Sequence, residues 1–300
     1  MHIHQDLIKT SNAAPEPTHT PAVPSVVPDP PVYLTIGRPG ETGLWIAVVI
    51  LGLSTLGFIY LAWRVPVQKR LLHVITAIYT TVTFLVYFAI ATGDGFAFHK
   101  ELQVERHKHV PDTERTVYRQ VFWAHYLGWA LAGPLAILDI TLIAGLNGSD
   151  TLVAIVADLV FVISGLIYAF AETKIQKWGW FAWFTIAFLI LGYQFAINGR
   201  IAVFAKDIKT RAFYNVIVAF VSAIWIFYPV IWIVTANTNW LSVDNETILY
   251  AVLDLLALPF FGFWLLFTYD SLSATNPSVN GFWAYGLGIQ GTIRIGGDED

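Results

Sequence analysis

Apolar residues run in seven long blocks, roughly 43–64, 71–93, 119–145, 151–172, 178–198, 213–236 and 247–269. Each reaches the about 20 residues that a helix needs to cross a bilayer core. The first reads GLWIAVVILGLSTLGFIYLA and carries no charge. Backbone polar groups in lipid must bond internally, so blocks of this length predict helices, and the alternation of a membrane barrel is absent. Trp45, Trp178, Trp180 and Trp240 stand near block ends, as interfacial aromatics do. The pattern predicts an all-α membrane protein, a seven-transmembrane helix bundle over residues 37–272. Its termini would lie on opposite sides. The connection at 144–150 is short enough to make spans three and four antiparallel neighbours, and 94–118 reads as a long loop of mixed charge.

The flanks differ. Residues 1–36 are rich in Pro, Ser, Thr and His, without a helical apolar face or the apolar core of a signal peptide, and read as a disordered tail. His2 and His4 read as part of that solvated tail rather than as a metal site. Residues 273–300 read as a second tail. Its acidic end, Gly296 to Asp300, and Ser271 and Ser273 offer contact or modification positions. Lys and Arg divide almost evenly between the two sides, so the positive-inside rule does not orient the bundle. Sequons at Asn147 and Asn245 fall on opposite sides and cancel.

Composition narrows the function classes. The chain is 56% hydrophobic and 13% charged, against about 25% charged for a soluble domain. It has no cysteine, so disulfides and thiolate chemistry are excluded. A net charge of −4, dispersed along the chain, gives no footprint for nucleic acid. No phosphate loop, HExxH or GxSxG occurs, and nothing implies an enzyme.

Ionisable residues at mid-span are costly and face the bundle interior. Those nearest mid-span are His125, Asp139, Asp158 and Asp254. In span three, His125, Trp129, Ala132, Ala136 and Asp139 share one helical face. His125 and Asp139 lie about 21 Å apart along the axis. Trp225, Tyr228 and Trp232 share a face of span six beside Pro229. Asp254, Leu258 and Phe261 share one of span seven. A carboxyl there needs donors or keeps its proton, and tyrosine hydroxyls from other spans are the available partners. With such partners, an asparagine at 254 is expected to cost little stability. Asp158 and Ser164-Gly165 read as a polar contact between helices.

These residues, in this order, resemble the microbial (type I) rhodopsins over all seven spans, about residues 43–270. Tyr126, Trp129, Pro134 and Asp139 fall on that family's span-three pattern. Trp225, Tyr228, Pro229 and Trp232 reproduce W-x-x-Y-P-x-x-W. Leu253, Asp254 and Ala257 match L-D-x-x-A-K, Tyr87 matches the tyrosine partner of the span-seven aspartate, and Asp158 matches a span-four aspartate. The departures matter as much. The retinal-bearing lysine of the family falls on Leu258, its primary proton acceptor on Gly128 and its arginine of the extracellular half on His125. None of the eight lysines lies well inside an apolar block.

These losses resemble the fungal opsin-related proteins, a group that includes the small membrane heat-shock protein of yeasts and its plasma-membrane relatives. The resemblance implies a multi-pass plasma-membrane protein with its N-terminus outside and its C-terminus cytosolic. It implies no retinal or other cofactor and no metal, and a vestigial pocket of Tyr126, Trp129, Trp225, Tyr228, Trp232, Asp254 and Tyr87. Its implied partners are the lipid bilayer, other membrane proteins with a proton-exporting ATPase among them, and a second copy of the chain. Three functions stay open. One is a stress-linked accessory protein. The second is a proton or weak-acid transporter or channel, with His125, Asp139 and Asp254 as the path. The third is a receptor-like sensor that holds an apolar ligand without a covalent bond.

Overall fold

A computed structural model describes residues 31–105, 113–238 and 241–272. Seven helices are long and apolar enough to span a membrane. They are α1 Arg38–Arg64, α2 Leu71–Ala91, α3 Trp123–Ala144, α4 Gly148–Ala169, α5 Lys174–Val203, α6 Ile208–Thr238 and α7 Val243–Ser271. Consecutive helices from α1 to α5 pack side by side, α7 packs on both α1 and α6, and α3 also touches α6. The outward faces carry exposed Leu53, Leu56, Trp63, Trp178 and Phe204. Large apolar side chains left uncovered on a seven-span bundle are its contact with lipid.

Local chemistry sets the helix ends. Asn147 and Ser242 accept from the backbone amides of Asp150 and Asn245, and Thr173 with Gln176 closes a capping box. α3 ends where Gly145 turns left-handed at φ 72°. α1 is capped from elsewhere in the chain. Asp244, in the first turn of α7, accepts from the amides of Gly37 at 2.7 Å and Gly40 at 3.0 Å. A carboxylate at a helix N-terminus satisfies orphan donors and complements the helix dipole. Two segments widen to π geometry, Gln194–Gly199 in α5 and Leu256–Phe260 in α7. The second contains Pro259, which lacks the amide that a regular turn would need.

The stretch 94–118, read as a long loop of mixed charge, is largely a hairpin. Strands β2 (Ala97–Glu105) and β3 (Thr113–Val121) pair antiparallel, with His99 opposite Arg119. Strand β1 (Val32–Leu34) joins β3 in parallel. β3 takes residues 119–121 from the expected third span, so α3 starts at Trp123. Strand β1 likewise lies inside the stretch read as a tail. The rest of that stretch, residues 1–30, and the tail from 273 lie outside the described residues, as do His2, His4 and Ser273.

Candidate functional site

Asp254 is 1% exposed and is the hub of the bundle. One carboxyl oxygen, Oδ2, accepts from the Tyr87 hydroxyl at 2.5 Å and lies 2.7 Å from His125 Nε2. The other, Oδ1, accepts from the Tyr228 hydroxyl at 2.5 Å and the Trp129 indole N–H at 3.0 Å. The partners come from α2, α3 and α6, so one side chain of α7 ties four helices together. The tyrosine partners were legible beforehand. The roles of Trp129 and His125 were not, although both stand on the face of α3 that the sequence had singled out. An indole N–H only donates, and a buried one usually has a partner.

This geometry sets what an asparagine at 254 would have to meet. Each oxygen has two partners: an amide nitrogen on the Oδ1 side would face the Trp129 indole N–H, which only donates, and one on the Oδ2 side would need both the Tyr87 hydroxyl and His125 to turn acceptors towards it. Both carboxyl oxygens are thus fully partnered.

Several of the aromatic residues named for a vestigial pocket are neighbours in the bundle. Tyr126 stacks on Trp232 at 6.1 Å, Trp129 meets Tyr228 edge-on at 5.6 Å, and Phe161 packs between Trp225 and Trp232. Tyr126, Trp129, Trp225, Tyr228 and Trp232 line one cavity, of about 20 Å3. That is room for about one water, against the about 300–1,000 Å3 of an ordinary ligand pocket. Asp158 borders the same space, and its Oδ2 has no protein partner. The interhelical contact expected of Asp158 is steric: it packs on Gly133 of α3, where an added Cβ would come within 2.3 Å of Oδ2.

At the other end of α3, Asp139 is fully buried and accepts from Thr76 Oγ1 of α2 at 2.9 Å. One turn before Thr76, the buried His73 places Nε2 3.3 Å from Asp270. His73 belongs with the intramembrane ionisable residues, although in the sequence it reads as an end residue because it lies only two residues into α2. The face of α3 between the two clusters is closed by Ala132 and Ala136, at 0% and 4% exposure. His125, Asp139 and Asp254 therefore do not form one group: His125 joins Asp254, and Asp139 stands apart. Among the described residues no cluster of three or more His, Cys, Asp or Glu could hold a metal.

A second cavity, of about 40 Å3, opens towards the hairpin. His125, Tyr87 and Tyr250 line it, together with Glu246 and Gln120. Glu246 pairs with Arg119 of β3 at 2.7 Å. Gln120 accepts from the Ile36 amide at 2.8 Å. The hairpin therefore forms one wall of the site.

A seven-helix ring around a span-seven aspartate, held by span-two and span-six tyrosines and a span-three tryptophan, defines the microbial rhodopsin class. Residues 39–272 match the family described as "Bacteriorhodopsin-like protein", and the chain belongs to it. It is 42% identical over 286 residues to Opsin-1 of Neurospora crassa, which covers 94% of each chain. It is 30% identical to the opsin-like protein carO of Fusarium fujikuroi, over 78% of this chain and 74% of that one. Among solved structures it is similar to the light-driven proton pump LR (Mac) from Leptosphaeria maculans, with a TM-score of 0.79 and 42% identity. That match covers 82% of this chain and all of the other.

Retinal, which the family resemblance implies, would need an amine and a space in the bundle. The position expected to supply the amine is Leu258, 1% exposed and one turn beyond Asp254 in α7. The described lysines, at 69, 100, 174, 177, 206 and 209, all lie at helix ends, in connections or in the hairpin. The aromatic pocket has space for a water, and side chains of the same chain fill both oxygens of Asp254. These residues do not fit a covalently bound retinal.

Proposed function

We propose that this chain is a light-independent member of its family, with no covalent retinal and no light-driven pumping, and that it is not an enzyme. It acts as a stress-linked accessory or regulator of plasma-membrane proteins. The partner class is taken from the resemblance to fungal opsin-related proteins and includes a proton-exporting ATPase. Its N-terminus and hairpin face outside and its C-terminus the cytosol. The observation that carries the reading is Leu258: a buried alkyl side chain stands where a Schiff base needs an amine. The filled centre supports the same view, since it leaves the outer apolar faces as the surfaces available to partners. Purified protein incubated with retinal should develop no visible band and no borohydride-trapped adduct, and a pigment would overturn the reading. Affinity purification after heat or acid stress should recover a membrane ATPase or another stable membrane partner. Recovery of none would remove the accessory role.

The other two functions draw less support. A proton or weak-acid path would have to join the Asp254 and Asp139 clusters. Trp129 and Asp139 stand about 15 Å apart along α3, with buried Ala132 and Ala136 between them. Proteoliposomes should accordingly show no proton or acid flux. A non-covalent apolar ligand would need the aromatic cavity to grow well beyond about 20 Å3. Thermal-shift screens with retinal and sterol-like compounds should be flat.

A further inference from the structure

We propose that the cavity beneath the hairpin is a proton-binding site open to the hairpin side of the membrane, with His125 as the group that takes the proton and Asp254 as the anion that holds it. The inference rests on the light-independent reading in one respect: without a Schiff base, Asp254 needs another cation. Three of its four donors are neutral. Trp129 offers an indole N–H, and Tyr87 and Tyr228 offer hydroxyls. A carboxylate buried without a cation is costly, and a partner that carries charge and a hydrogen bond together offsets that cost. His125 Nε2, at 2.7 Å, is the group able to do so. Where the family resemblance places an arginine, which never releases its proton, this chain has a residue that does.

Access sets His125 apart from the other donors. Its side chain is 12% exposed and borders both cavities. The cavity of about 40 Å3 has room for two or three waters. Its wall also contains the Tyr250 hydroxyl, buried and without a protein partner, on a ring 5.1 Å from that of His125. A polar atom of this kind beside a small polar cavity marks a water position. The charged and titratable surroundings come from every packed element. β3 gives Arg119, and β2 gives Glu101, which bears on Glu246. α2 gives Tyr87, α3 gives Tyr126, α6 gives Tyr228, and α7 gives Glu246, Tyr250 and Asp254. α1 contributes only the apolar Leu44 to the cavity wall. Glu246 faces both Arg119 and His125, so the cavity offers an arriving proton a carboxylate first and an imidazole behind it.

When His125 carries the proton, the ion pair locks α3 to α7. When the proton leaves through the cavity, Asp254 keeps only neutral donors and that link weakens. The pH on the hairpin side thus sets the packing of two helices whose outer faces meet lipid and partners.

The test uses the full chain, labelled with 15N-histidine, in vesicles of one orientation. The His125 resonance is assigned by its loss in His125→Gln. Raising the pH on the hairpin side should convert that signal from charged to neutral, and the same step on the opposite side should leave it unchanged. Ile90→Phe, which narrows the cavity, should slow the response several-fold. A signal that ignores both steps, or answers both equally, overturns the proposal. The wild-type comparison decides the matter even if the Ile90 variant does not fold. Pigment formation with retinal would sink the light-independent reading alone, and a signal without sidedness would sink the proton site alone.

Discussion

At the scale of single residues, Asp254 concentrates the consequences. Asp254→Asn forces the Tyr87 hydroxyl and His125 to turn acceptors towards its amide nitrogen, and should destabilise by about 1–3 kcal/mol if either stays unpaired. Tyr228→Phe removes one bond and leaves three, at about 1 kcal/mol. His125→Leu removes the one partner of the four that can carry a positive charge and should cost more, about 3–5 kcal/mol. Denaturation of the three variants in the same detergent gives the order, and an Asn variant as stable as wild type would contradict the four-donor hub. The face of α3 was readable because helical spacing alone puts His125, Trp129 and Asp139 in line. Their partners were not, because the pairings cross from α3 to α7 and α2, over a hundred and about sixty positions away.

At the scale of helices and strands, close approach is set by glycines opposite large side chains. A Cβ at Gly165 would lie 2.2 Å from the Trp232 ring. Gly165→Ala must push that ring or part α4 from α6, at about 1–3 kcal/mol. The loss should appear as a lower melting temperature. Asp244→Ala leaves the amides of Gly37 and Gly40 uncapped, at about 1 kcal/mol. Hydrogen exchange should then rise at the start of α1 and not in α4. The helices were legible because lipid demands long apolar runs. The hairpin was not, because its strands carry Lys100, Glu101, Arg115 and Arg119 among apolar residues and were read by charge rather than by alternation.

At the scale of the whole molecule, the hairpin layer has a pH response of its own. Burial, with the nearby Lys177 ammonium, lowers the pKa of His99 from 6.5 against the opposite pull of Glu101 and Glu172. The unfolded hairpin therefore binds a proton more readily than the folded one. The layer is stable above pH 6.5 and loses stability as the pH falls below that value and through the lower folded one. Limited proteolysis of the hairpin should quicken in acid, and His99→Phe should abolish that dependence. The ring of spans was plain in the sequence. The covering of one end by a sheet was not, because β1 pairs with a strand some 85 positions later in the chain.

The cap from α7 onto α1 and the aspartate of α7 at the centre also order events during biosynthesis. The first span to leave the ribosome waits for its terminal amides to be covered, and donors on α2, α3 and α6 wait for their acceptor, until the seventh span arrives. A nascent chain stopped after six spans would expose unmet polar groups to lipid, a state that membrane quality control can recognise. Closure of the ring thus waits for the seventh span.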